Sequence, residues 1–223
     1  MNRTSISRWI WIILPVCIML LFERVVIASI DLVEMISGGI DPRLFFYIPF
    51  LSLLPPLILF LIWYLRPARI HEHKLIVTRH GTVARDVSLG VGGAALCLAV
   101  FIGSLELQQL LSFPTPDFSS LSWAHHVFFS TAGALVPGIA EEVYFRGFLM
   151  QKFAGLRPAL LILVTSLSFA SWHILSPSYL LHTFLVGAIL GIIYHYTRRL
   201  LPVVLAHALA NALAGVLFMT GYV

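Results

Sequence analysis

The chain has little charge. Only 11% of its 223 residues are Asp, Glu, Lys or Arg and 59% are hydrophobic, where an average soluble domain carries about 25% charged residues. That shortage excludes an ordinary water-soluble globule. Cysteine is almost missing too: Cys17 and Cys97 both lie inside apolar runs, as small core hydrophobes do, which excludes a disulfide scaffold or a cysteine zinc site. Internal repeats, low-complexity tracts and linkers are absent, so the chain reads as one membrane domain. A basic face is also missing. The net charge of +4 comes from residues in short loops between apolar segments, which points to the positive-inside rule and not to nucleic acid.

What fills the sequence is apolar runs longer than the roughly 18 residues of a membrane span. Seven are expected: Trp9 to Ile30, Leu44 to Leu65, Val87 to Leu105, Val127 to about Phe153, Pro158 to Leu175, Tyr179 to Thr197, and Leu201 to Val223. Backbone in lipid must satisfy its own hydrogen bonds, and these runs do not alternate as barrel strands do, so each is read as helix. The expected fold is all-α, a polytopic bundle of about seven transmembrane helices. Its functional site falls inside helices 4, 5 and 7. Residues 1–117 hold the first three spans and the basic loop RPARIHEHKLIVTRHGTVARD; residues 118–223 hold spans four to seven. The first run follows MNRTSISR and resembles a signal sequence, but no small-residue cleavage pattern follows Phe22, and it is read as a retained anchor.

Charge gives the orientation. With the N-terminus cytoplasmic, 12 of the 14 Lys and Arg residues face inward and only Arg24 and Arg43 face outward. The expected location is a cell membrane, plasma or inner.

Against this background ionisable residues inside the spans are few, and each costs at least a few kcal/mol in the bilayer. The fourth span holds Glu141, Glu142 and Arg146; the fifth, His173; the sixth, His182 and His195; the seventh, His207 and Asn211. Glu142 and Arg146 are four apart and share a helix face, whereas Glu141 points about 100° away. Phe169 and His173, and His207 and Asn211, repeat the four-residue spacing. A glutamate beside an imidazole can hold and deprotonate water. A histidine and an asparagine one turn apart can donate to the oxyanion formed when that water attacks an amide. This combination suits peptide hydrolysis. The sequence has no HExxH for zinc and no GxSG for a serine nucleophile, and GGID at Gly38 to Asp41 is not GxGD.

EEVYFR resembles the EExxxR motif, FASWH the FxxxH motif and HALAN the HxxxN motif of the CAAX protease and bacteriocin-processing (CPBP, or Abi) family, which includes the CAAX prenyl endoproteases. The motifs occur in family order and cover roughly residues 118–218. The resemblance implies an intramembrane endopeptidase in which Glu141 activates water, Glu142 with Arg146 supports the site, His173 binds the same water, and His207 and Asn211 form the oxyanion site. The expected substrate is a membrane protein or a peptide precursor, lipidated proteins included, met in the lipid bilayer. The same three groups, Glu141, His173 and His207, would form a two-histidine, one-carboxylate site for a divalent metal such as zinc. A metal-free glutamate mechanism is preferred, because Asn211 is a poor zinc ligand.

Blander readings stand beside these. Glu142 and Arg146 are equally well explained as a structural i, i+4 ion pair. His182 and His195 read as core histidines, Phe169 as packing, His125 and His126 with Trp123 as part of the outer interface, and His71, His73 and His80 as solvated loop residues. A catalytically silent scaffold or immunity protein with the same fold would tolerate loss of the Glu141 carboxylate. A metal or ion transporter would use the same polar residues as a pathway, but no inverted repeat supports it.

Overall fold

A computed structural model describes residues 83–111, 122–173 and 180–220 throughout, and scattered positions between 9 and 62. Most of the second expected span, part of the first, nearly all of the basic loop and the turn at Ser176 to Ser178 lie outside the described residues. Positions 9–14 and 58–60 are helical; they belong to a separate compact unit, Met1–Trp63, from the one that carries the site, Tyr64–Val223.

Among the described residues of the second unit every element is helical: α1 (Val83–Leu110), α2 (Trp123–Ser130), α3 (Ala132–Glu142), a π-helical segment (Val143–Leu149) with a last turn at Met150–Lys152, α4 (Pro158–Ser171), α5 (Leu180–Thr197) and α6 (Leu200–Met219). Three of them, α1, α5 and α6, are long and apolar enough to cross a membrane. Their outward faces carry bare large hydrophobes, such as Leu96, Ile192 and Leu213, as a lipid-facing surface requires. The protein is an integral membrane protein.

The expected single helix from Val127 to Phe153 is instead a composite. Its first break is at Thr131, whose φ of −117° and ψ of −91° leave the helical region and whose Oγ1 donates back to the Val127 carbonyl at 2.6 Å. Pro137, inside α3, adds a position without an N–H to donate. The π segment begins directly after Glu142, and such widened turns recur at functional sites. Local chemistry here overrides hydropathy, which sees only that the run is apolar.

Helix α6 is the centre of the unit and packs on α1, α2, α3 and α5. Small residues allow the close approach. A Cβ built on Gly138 of α3 would lie 3.0 to 3.1 Å from the Cβ, Cα and N of Ala208, so backbone meets backbone one turn before Glu142 and one residue after His207. On the other face of α6, a Cβ on Gly93 of α1 would sit 2.9 Å from the Cβ of Ala206. In lipid, where no hydrophobic force separates helix from solvent, such contacts are the main source of association.

One end of the unit is tied by charge. Arg199, in the turn between α5 and α6, meets Asp86 in the first turn of α1 at 2.6 Å. Asp86 closes the stretch RPARIHEHKLIVTRHGTVARD, whose other acid is Glu72.

Candidate functional site

Glu142 is fully buried, and one of its oxygens holds two partners. Oε1 accepts from Arg146 Nη1 at 2.8 Å and lies 2.8 Å from His207 Nδ1. An ionised carboxylate can only accept, so Nδ1 of His207 carries the proton in that bond. Arg146 uses its other terminal nitrogen, Nη2, to donate to the Gly187 carbonyl of α5 at 2.8 Å. Three helices are thus locked through one guanidinium and one carboxylate. Gly187 has no side chain because none fits: a Cβ there would lie 3.2 Å from both the Phe169 ring and the Ser166 Cα.

Glu141 is buried but differently engaged. Its Oε2 has no hydrogen-bond partner among the described residues and stands 4.0 Å from His207 Nε2. That gap is too long for a direct hydrogen bond. It is the span that one water, within hydrogen-bond distance of both atoms, bridges. The two neighbouring glutamates therefore address the two nitrogens of one imidazole.

Phe169 organises the remaining groups. Its ring lies 5.0 Å from Phe145, 5.1 Å from the His173 ring and 5.7 Å from the His207 ring, centroid to centroid, and the Arg146 guanidinium carbon sits 4.9 Å above it. This is cation–π and edge-to-face packing in a dry setting, where such contacts are strongest. His173 lies just past the end of α4, in a turn closed by its N–H to the Ala170 carbonyl at 2.9 Å. Its Nδ1 is 3.0 Å from the Phe169 carbonyl. A carbonyl only accepts, so Nδ1 is again the protonated nitrogen and Nε2 offers a lone pair.

Of the six residues singled out in the sequence, Glu141, Glu142, Arg146 and His207 form one contiguous cluster, and His173 joins it through Phe169. Asn211 is one turn beyond His207 on α6, partly exposed. His173, just past the 14-residue α4, and His207 of α6 both pack against the ring of Phe169. Sequence reasoning missed the bond from Glu142 to His207 and the role of Gly187. A glycine amid VGAILG was the available signal for the second; for the first there was none.

The donor set also bears on a metal. Each histidine has Nδ1 committed to an oxygen and Nε2 available, the usual posture of a zinc ligand, and Glu141 adds a carboxylate. Among the described residues, however, no three His, Cys, Asp or Glu side chains gather closely enough to hold an ion. The chemistry of the donors suits zinc and their placement does not.

No curated protein and no solved structure matches the chain significantly. A family model does, over residues 123–213, described as type II CAAX prenyl endopeptidase Rce1-like, and Glu141, Glu142, Arg146, His173, His207 and Asn211 all fall within it. The matched residues 123–213 are thus similar to the CAAX protease family that the three motifs resemble.

Proposed function

We propose that the protein is an intramembrane endopeptidase that hydrolyses a peptide bond in a membrane-associated or lipidated protein or peptide precursor. The observation that carries this reading is the division of labour between the glutamates. Glu142 is occupied by Arg146 and His207, which leaves the buried carboxylate of Glu141 as the base.

Water held between Glu141 and His173 loses a proton to Glu141 as its oxygen attacks the amide carbon. The Nε2 lone pair of His173 accepts the second water hydrogen and aims the oxygen. The carbonyl oxygen becomes an oxyanion, which Asn211 and His207 meet as donors. Because Nδ1 of His207 already donates to Glu142, its Nε2 can donate only in the imidazolium form. Collapse of the tetrahedral intermediate breaks the C–N bond, and the proton on Glu141 passes to the leaving amine.

The remaining parts of this reading are topological. Seven spans with a cytoplasmic N-terminus, in a plasma or inner membrane, agree with the loop charges, and the Asp86–Arg199 pair supports placing the start of α1 and the α5–α6 turn at one end. No resident metal is invoked, since the three candidate ligands are not gathered. The experiment is proteolysis of membrane-anchored peptides by purified protein in liposomes, with Glu141→Gln as the control. Cleavage by the wild type alone supports the proposal; equal cleavage by both, or by neither, refutes it.

A further inference from the structure

Where α5 turns into α6, two consecutive arginines part ways. Arg199 turns in to Asp86 of α1 at 2.6 Å. Arg198 is exposed, and its side chain makes no hydrogen bond or ion pair. Its backbone is strained as well: φ is 53°, and its N–H closes the end of α5 on the Tyr194 carbonyl at 2.7 Å. That left-handed position past a helix end is the one glycine fills freely, whereas a residue with a Cβ is disfavoured there. The turn does not ask for an arginine, and nothing inside the protein uses the guanidinium.

A second such arginine lies abreast of it. Helices α4 and α5 run antiparallel in close contact: a Cβ on Gly187 would lie 3.2 Å from the Ser166 Cα, and one on Gly191 3.5 Å from Ile162 Cγ2. Four residues further along each helix Pro158 comes level with His195, which puts Arg157, the residue before α4, level with Tyr196. Arg157 is also exposed and makes no side-chain hydrogen bond or ion pair. Arg198 is two residues beyond that level, about 3 Å at 1.5 Å per residue, and packed helix axes lie about 8 to 10 Å apart. Two arginine side chains span that gap. Tyr196 beside them is 79% exposed, as aromatic residues are at the membrane–water boundary. Among the described residues the one acid at this end is Asp86, which Arg199 holds.

Depth decides what the two can bind. Helix α5 has 18 residues, about 27 Å at 1.5 Å per residue and close to the ~30 Å hydrocarbon core, so the turn at its end lies at headgroup level. Arg198 and Arg199 are the whole connection between α5 and α6, too short to carry charge out to a partner in water. The anion within reach is a lipid phosphate, two of whose oxygens suit the planar fork of an arginine. The surplus of positive charge selects headgroups that are negative overall.

We propose that Arg157 and Arg198 hold the phosphate of one anionic phospholipid between the start of α4 and the end of α5. The lipid joins the turn before α4 to the turn before α6. This site is separate from the buried glutamates and does not depend on the peptidase reading.

The test is native mass spectrometry of the full-length protein released from nanodiscs of mixed phosphatidylglycerol and phosphatidylcholine. The wild type should retain one phosphatidylglycerol in preference to phosphatidylcholine by about tenfold or more. Arg157→Gln and Arg198→Gln should each lower that preference about fivefold, the worth of one basic residue beside an anionic surface. Arg198→Lys, which keeps the charge and loses the fork, should recover part of it. Arg198→Gly separates binding from folding: it should lose the lipid as Arg198→Gln does, yet unfold at about the same temperature in neutral detergent, because glycine suits the left-handed turn. Lys152→Gln removes a charge at the same end from a side chain that lies over the Phe148 ring at 5.3 Å, and should leave the preference unchanged. An equal fall in Lys152→Gln would show attraction to net charge alone and overturn the site. Displacement of the lipid by excess inorganic phosphate would make the ligand a soluble anion and overturn the lipid assignment. Equal retention of the two lipids by the wild type overturns the proposal outright.

Discussion

Glu142 and His207, 65 positions apart, are joined by a 2.8 Å hydrogen bond between Oε1 and Nδ1, and the same oxygen holds Arg146 at 2.8 Å. Removing that carboxylate strands a buried guanidinium. Glu142→Ala should therefore destabilise the protein by about 3 to 5 kcal/mol, the cost of leaving one member of a buried pair alone. Glu142→Gln should cost less, because an amide oxygen can still accept from Arg146. Thermal unfolding in detergent compares the two, and equal midpoints would show that the charge is not what matters.

Close approach of α3 and α6 is the precondition for that bond. Gly138→Ala would place a methyl 3.0 to 3.1 Å from Ala208, against its backbone as well as its Cβ, and a backbone cannot rotate away. Overpacking of this kind costs about 1 to 3 kcal/mol. Turnover should fall as well, since the helices carrying Glu142 and His207 are pushed apart. Ala208→Gly added to Gly138→Ala should rescue only in part, because the Cα and N of residue 208 remain in the way; full recovery of kcat would count against the account.

Much of this arrangement was legible before the fold was known, for identifiable reasons. Helix type followed from apolar runs in lipid, and Glu142 pairing with Arg146 followed from a spacing of four. Glu141 and His207 were grouped by motif and meet at 4.0 Å. What was not legible depends on contacts across sequence distance or on local backbone. Nothing in HALAN says which nitrogen of His207 faces which glutamate. The break at Thr131 and the π turns after Glu142 are invisible to hydropathy, and the turn that folds His173 back against Phe169 depends on where α4 stops. The Asp86–Arg199 pair was hidden because it joins residues far apart in sequence, which no local spacing reveals.

That pair ties together one end of the bundle and lies outside the Rce1-like segment on the Asp86 side. Asp86 is nearly fully buried and Arg199 is 18% exposed, so its worth should fall between the surface and buried limits, about 1 to 3 kcal/mol. Asp86→Asn should lower the unfolding midpoint and leave kcat per folded molecule unchanged. A fall in kcat without a fall in stability would give this end of the bundle a part in turnover.

Metal removal has a definite expectation. Glu141, His173 and His207 are not gathered into an ion-holding cluster, and the proposed base works on water directly. Dialysis against a strong chelator should leave cleavage within about twofold, and elemental analysis of purified protein should find less than one zinc per chain. Loss of activity on chelation with recovery on zinc would mean that substrate or metal draws the three ligands together.

The division between the two glutamates makes the sharpest claim. Glu141→Gln replaces the carboxylate proposed to take a proton from water with an amide that cannot, so cleavage should be abolished at every pH, while folding is retained because Glu142, Arg146 and Gly187 keep their bonds. Asn211→Ala removes one oxyanion donor and leaves the base in place. Its rate should fall by roughly 10² to 10³, the usual loss for a single such donor, with the shape of the pH profile unmoved. The two variants differ in kind, one abolishing the proton transfer and the other weakening its transition state. Kinetics on one peptide across a range of pH separates them: residual turnover in Glu141→Gln would assign the base elsewhere, and an Asn211→Ala profile displaced by a full pH unit would mean that Asn211 acts on a titrating group instead of on the oxyanion.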